Sequence, residues 1–144
     1  MPCPFCQLPP ARIVRERASA VLVWDAWPLS PGHALVIPRR HIGSWFDTTE
    51  PERADMLALL DEAKALVAQQ HAPAGWTIGI NDGPAAGQTV PHLHMHLIPR
   101  HPRPARRRAL GAAAAGGVLE QALSDAPPPG AGKGGKRSKS HSEL

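Results

Sequence analysis

At 144 residues the chain has room for one compact domain. Its formal charge of +4 is unevenly spread: residues 1–99 carry 7 Lys/Arg against 9 Asp/Glu, and residues 100–144 carry 9 against 3. The high pI therefore belongs to the tail, which disfavours a nucleic-acid-binding face on the first part, and nothing approaches the roughly 18–20 consecutive apolar residues of a membrane span.

The N-terminal MPCPFCQLPP has neither a basic start nor an apolar core, so we expect no secretory signal and a cytoplasmic location. In that compartment Cys3 and Cys6 point to a metal or redox role before a structural disulfide. SAVLVWDA (19–26) and HALVIP (33–38) are apolar and β-branched and predict two strands, with Pro28, Pro31 and Gly32 marking the turn between them. Thr48 or Thr49 can cap a helix that begins near Pro51. Within it Met56, Leu59, Leu60, Ala63 and Val67 recur at helical spacing, while Glu52, Asp55, Glu62 and Gln69 fall outside the stripe. GWTIGIN (75–81) alternates Trp76, Ile78 and Ile80, which predicts a strand with one buried face. NDGPAAGQTV (81–90) reads as a loop, and PHLHMHLIP (91–99) as the next strand. The pattern is α+β: antiparallel strands with one main helix against them. We expect the domain to span 1–110 and residues 111–144 to form a low-complexity basic tail, mostly disordered. From about residue 125 there is too little bulky apolar surface to offset an ordering entropy of roughly 1–2 kcal/mol per residue. The tail's charge suits a solubilising end or a weak contact with a polyanion.

His92, His94 and His96 alternate with Leu93, Met95 and Leu97. On a strand, residues two apart share a face at about 6.6–6.8 Å, so the three imidazoles line up on a surface while the apolar set anchors the other face. Three uses compete: plain surface histidines, a metal centre using His94 and His96, and nucleophilic or acid–base catalysis at phosphorus. Gly87, Gln88, Thr89 and Val90 immediately precede the histidines and offer backbone N–H groups, an amide and a hydroxyl to phosphate oxygens, which favours catalysis.

PHLHMHLIPR resembles the His-φ-His-φ-His-φ-φ signature of the histidine-triad (HIT) family, nucleotide hydrolases and transferases that include the Hint and fragile-histidine-triad branches. NDGPAAGQTV is similar to the stretch leading into that triad, and SPGHALVIPRRHI to the family's other marker, in the same order. The resemblance implies a HIT-like fold, an antiparallel β-sheet with one main helix and a short helix, and a homodimer paired through the helix and a shared sheet. It implies that His94 attacks the α-phosphate of a nucleotide, giving a covalent nucleotidyl-histidine that water hydrolyses. His96 and His33 would contact phosphate oxygens and assist the leaving group. Gln88 and Thr89 would bind phosphate, with Asn81 near it, although Asn-Asp-Gly is also good turn chemistry. Asp25 would hold the ribose, since a carboxylate accepts from both hydroxyls; the alternative is a strand-end turn residue.

Cys3 and Cys6 have two-residue ligand spacing, and the resemblance to zinc-containing bacterial members adds His41 and His92 as the remaining ligands. Such a closed Cys₂His₂ set implies a structural Zn²⁺; a redox dithiol or a functionless pair are the alternatives. His71 and His101 are expected to be ordinary surface histidines. Trp24, Trp27, Trp45 and Trp76 could line a base pocket, with core packing expected for most of them; Trp27 and Trp45 lie in predicted turns. The implied substrates are purine nucleotides: phosphoramidates, dinucleoside polyphosphates or adenylylated metabolites. The Pro-Arg end of the triad segment favours the dinucleoside polyphosphate branch. The competing function is a nucleotide-binding or scaffold protein with little turnover.

Overall fold

A computed structural model describes residues 2–102. The tail expected over 111–144, the boundary at 110 and the disorder expected from 125 lie outside the described residues. Among the described residues five antiparallel strands form one sheet, β1 (Ile13–Glu16), β2 (Ala20–Trp24), β3 (Ala34–Pro38), β4 (Gly75–Gly79) and β5 (Met95–Arg100), in the order β1-β2-β3-β5-β4. One long helix, α1 (Glu50–His71), packs on β2, β3 and β5. The short helical pieces are 3-10 turns at Pro10–Arg12, Trp45–Asp47 and Pro84–Ala86. No described helix is long and apolar enough to cross a membrane.

Helix α1 starts where its sequence predicts. The Thr49 hydroxyl accepts from the Glu52 N–H at 3.3 Å while the Glu52 carboxylate accepts from the Thr49 N–H at 2.8 Å, a reciprocal cap of the first turn. Met56, Leu59, Ala63 and Val67 are buried as the stripe requires, and Leu60 is half-buried beside them. Glu52, placed outside that stripe by periodicity, is buried as well. Its carboxylate takes a two-pronged contact from Arg40, Nη2 at 2.8 Å and Nε at 3.1 Å, which holds its pKa down at about 2. A charge at this position tolerates burial because it caps the helix and pairs at once.

The two faces of the sheet divide cleanly. Ala20, Leu22, Ala34, Val36, Leu93, Met95 and Leu97 meet α1, with Trp24, Trp45 and Trp76 packed against them. Val21, Val23, Leu35 and Ile37 face the other way and are covered by Phe5, Leu8 and Ile13. The alternation of β2 and β3 therefore carries both cores.

Three expectations change. The edge strand β1 is absent from the sequence reading, because IVRE has one apolar pair and no clear alternation. Ile78 does not complete a buried face: it is 56% exposed, since β4 is the outermost strand and α1 lies over β2, β3 and β5. The strand expected over 91–99 enters the ladder only at Met95, where Val36 is its partner. Beyond Val36 the β3–β5 ladder ends, and Leu93 N–H instead donates to the Ile42 carbonyl at 2.7 Å.

Candidate active site and metal centre

His33, His94 and His96 come together on the sheet face opposite α1. His96 pairs with Leu35, a residue of that face, and β-alternation from Leu35 puts His33 on the same side. The expectation of imidazoles on an open surface is not met: His33, His92, His94 and His96 are each at most 3% exposed. Phe5 packs on two of them, its ring centroid 5.0 Å from that of His94 and 5.9 Å from that of His92.

The proton positions on two of these rings follow from the main chain. His94 Nδ1 lies 2.8 Å from the His92 carbonyl oxygen. A carbonyl only accepts, so Nδ1 carries the proton and neutral His94 presents its lone pair on Nε2. At His33 the polarity is reversed, because the Leu29 N–H donates to Nδ1 at 3.2 Å. Neutral His33 therefore bears its proton on Nε2, which lies 3.0 Å from His96 Nδ1 and 3.2 Å from Asp25 Oδ2. Burial drives the His33 pKa down from 6.5 to about 4; Asp25 opposes that shift, and His96, Arg100 and His94 reinforce it.

The expected substrate ligands are distributed as follows. Asp25 sits beside His33, and its Oδ1 accepts from the Trp27 N–H at 2.7 Å. Asn81 is buried against Gly87, and among the described residues its Nδ2 has no hydrogen-bond partner, a donor without an acceptor within the loop. Both ends of the Gln88 amide are engaged: Oε1 accepts from Gly83 N–H at 2.8 Å within the loop, and Nε2 donates to the Gly43 carbonyl at 2.9 Å outside it. Thr89 is exposed at the loop's end. His101 is exposed as expected, but His71 is half-buried and packs against Gly32.

Cys3, Cys6, His41 and His92 also converge, with all four donor atoms within 4.8 Å of one another. Cys3 Sγ and Cys6 Sγ lie 3.3 and 3.5 Å from His92 Nδ1, and His41 Nδ1 lies 3.2 Å from both Cys6 Sγ and His92 Nδ1. Bonds of about 2.0–2.1 Å to nitrogen and 2.3 Å to sulfur put tetrahedral zinc ligands about 3.3–3.8 Å apart, so the set fits one ion. The tautomer fits too. His92 Nε2 donates to the Pro38 carbonyl at 2.8 Å, which leaves the lone pair on Nδ1, aimed into the cluster. Burial lowers the His92 pKa, which also favours the neutral ligand form.

Several contributors were not read from the sequence. Phe5 lies between the two cysteines and reaches the histidines because the Cys/His cluster pins that segment; the spacing of Cys3 and Cys6 was the one available signal. Asp82 accepts from Ser44 Oγ at 3.0 Å and from Trp45 N–H at 2.9 Å, latching the glycine loop to the neighbouring 3-10 turn. The Leu29 amide has no side-chain signal at all.

Residues 8–103 match the family model of the HIT domain. The chain belongs to the HIT family. It is 40% identical over 86 residues to the HIT relative "Bis(5'-nucleosyl)-tetraphosphatase [asymmetrical]" of Schizosaccharomyces pombe, covering 60% of this chain and 47% of that protein. The chain thus spans about half the length of that curated relative. An uncharacterized HIT-like protein of Mycobacterium tuberculosis is 40% identical over 104 residues, 69% of this chain and 72% of its own. Among solved structures, a hypothetical histidine triad nucleotide-binding protein of Sulfolobus tokodaii superposes with a TM-score of 0.65 at 27% identity, covering 71% of each chain. The HIT assignment and the α+β fold read from the triad segment therefore hold.

Proposed function

We propose that this HIT protein acts at the α-phosphate of adenine nucleotide derivatives, hydrolysing them or transferring the nucleotidyl group, through a covalent intermediate on His94. The observation that carries this reading is the 2.8 Å bond from His94 Nδ1 to the His92 carbonyl, which gives Nε2 the lone pair a nucleophile needs. His94 Nε2 bonds to phosphorus as the bond to the leaving group breaks, and the leaving atom takes a proton from His96. Water then adds to phosphorus and returns a proton to His96 as the phosphorus–nitrogen bond breaks, releasing the nucleoside monophosphate. His33 assists through His96. Asn81 Nδ2, without a hydrogen-bond partner among the described residues, supports a phosphate contact, and Thr89 is the proposed second one; Gln88 would have to exchange one of its bonds to Gly83 and Gly43 to join them. Asp25 is the proposed ribose ligand.

The relatives' names favour dinucleoside polyphosphates among the candidate substrates. Besides the S. pombe tetraphosphatase, an "AP-4-A phosphorylase" of Mycobacterium tuberculosis is 30% identical over 103 residues. We further propose that the Cys3, Cys6, His41 and His92 set holds a structural Zn²⁺, which would tie the N-terminal segment and Phe5 to the histidines. A homodimer through the outer edge of β4 is supported by the exposure of Ile78 there. The basic residues after 100 suit a weak polyanion contact.

The test is AMP release from an adenosine phosphoramidate and from diadenosine tetraphosphate, wild type against His94→Ala. Release by the wild type alone, with the variant still binding AMP, is expected. Equal turnover by the variant would remove His94 as nucleophile. Tight AMP binding by a wild type that releases none would replace the enzyme with a nucleotide-binding protein.

A further inference from the structure

Asp25, His33 and His96 bring one ligand-type atom each to within 4.8 Å of one another, a composition that would suit a metal. The main chain argues otherwise. Because the Leu29 N–H occupies His33 Nδ1, the nitrogen that faces Asp25 and His96 is the protonated one, and a protonated nitrogen does not coordinate. Two facing N–H groups at 3.0 Å would repel, so His96 Nδ1 must be the acceptor, and neutral His96 then carries its proton on Nε2. The carboxylate of Asp25, 3.2 Å from His33 Nε2, is the acceptor that favours this polarity. Without it the pair could reverse, with His96 donating from Nδ1 against the opposing Leu29 amide.

We propose that Asp25 is a positioning residue: with the Leu29 amide it holds His33 protonated on Nε2, and thereby holds His96 in the form whose Nε2 donates. This rests on the proposed role of His96 as proton donor to the leaving group. It adds to a ribose contact rather than excluding one, because a carboxylate has about four acceptor sites: Oδ1 takes the Trp27 N–H, and Oδ2 lies 3.2 Å from His33 Nε2 and, more distantly, 4.0 Å from His96 Nδ1. The electrostatic groups around His33 are Asp25, His94, His96 and Arg100, and Asp25 alone is negative.

The decisive variant is Asp25→Asn, which keeps an oxygen for the Trp27 N–H and removes the charge. Imidazole nitrogen NMR of the full chain without substrate is measured first. Wild-type His96 is expected protonated on Nε2, and Asp25→Asn is expected to show a mixture of tautomers. A wild-type His96 protonated on Nδ1, or a variant with unchanged tautomers, would overturn the proposal, and neither result depends on turnover. Kinetics follow with paired substrates, one with ribose and one lacking both ribose hydroxyls. A fall in kcat of about 10- to 100-fold on both substrates, with KM little changed, is expected of a lost orienting partner. A rise confined to KM that vanishes with the hydroxyl-free substrate would make Asp25 a ribose ligand only. Failure of all turnover in the wild type with the expected tautomers would sink the enzymatic reading and leave the positioning intact.

Discussion

Gly32 precedes His33 with φ at +93°, a conformation L side chains rarely adopt. A Cβ built there would lie 2.9 Å from Val67 Cγ1 and 2.7 Å from His71 Cδ2. The His71 ring can swing aside, but Val67 is fully buried on a short, stiff side chain, so the collision with Val67 dominates. Gly32→Ala should therefore cost about 1–2 kcal/mol for the backbone. Overpacking adds about 1–3 kcal/mol. Even the lower sum of about 2 kcal/mol would lower Tm by about 8–16 °C for a domain of this size. The assay is thermal and urea unfolding by circular dichroism, in a double-mutant cycle. Val67→Ala should recover about 1 kcal/mol or more in the Gly32→Ala background relative to additivity, and His71→Ala little. A Gly32→Ala protein melting within about 2 °C of wild type would refute both the strain and the collision.

Chelation of the purified protein should release one zinc per chain and lower Tm, and Cys6→Ala should reproduce the loss; atomic emission and melting curves check this, and a metal-free protein of unchanged Tm would remove zinc. His33 is pushed from 6.5 to about 4, so the unfolded chain binds the extra proton first: its contribution is complete above pH 6.5 and is lost as pH falls toward 4, by up to about 3 kcal/mol, read from urea unfolding across that window. Removing the reciprocal cap with Thr49→Ala should cost about 0.5–2 kcal/mol, and an unchanged urea midpoint would deny it. Ile78→Lys should shift the chain toward monomer in sedimentation if β4 is the pairing edge.

Local chemistry made much of this structure legible. Thr49 with Glu52, the β-branched runs of β2 and β3, and Pro28 through Gly32 specify their own conformations, so the elements they form agree with the residues that announce them. The histidines were legible because alternation survives past the end of the ladder: Leu93, Met95 and Leu97 still sink into one core while His94 and His96 turn to the other. Burial was not legible, since part of it comes from Phe5, carried across from the N-terminus onto His92 and His94. The polarity of the rings was not legible either. It is decided by the Leu29 amide and the His92 and Pro38 carbonyls, main-chain groups that carry no side-chain identity. Glu52 escaped the helical stripe because a capping carboxylate paired with Arg40 tolerates burial that periodicity assigns to apolar residues.

The acceptor that sets the proton on His94 is the peptide oxygen of His92. It has no genetic handle: any amino acid at position 92 supplies the same oxygen, so a lineage could discard the proposed zinc ligand there and keep the proton on Nδ1 of the ring beside it. Asp25 offers no such insurance, because its oxygen belongs to a side chain and disappears with one codon. Divergence of this protein should therefore erode the Cys3, Cys6, His41 and His92 cluster and the Asp25–His33 contact before it can touch the direction in which His94 faces its proton.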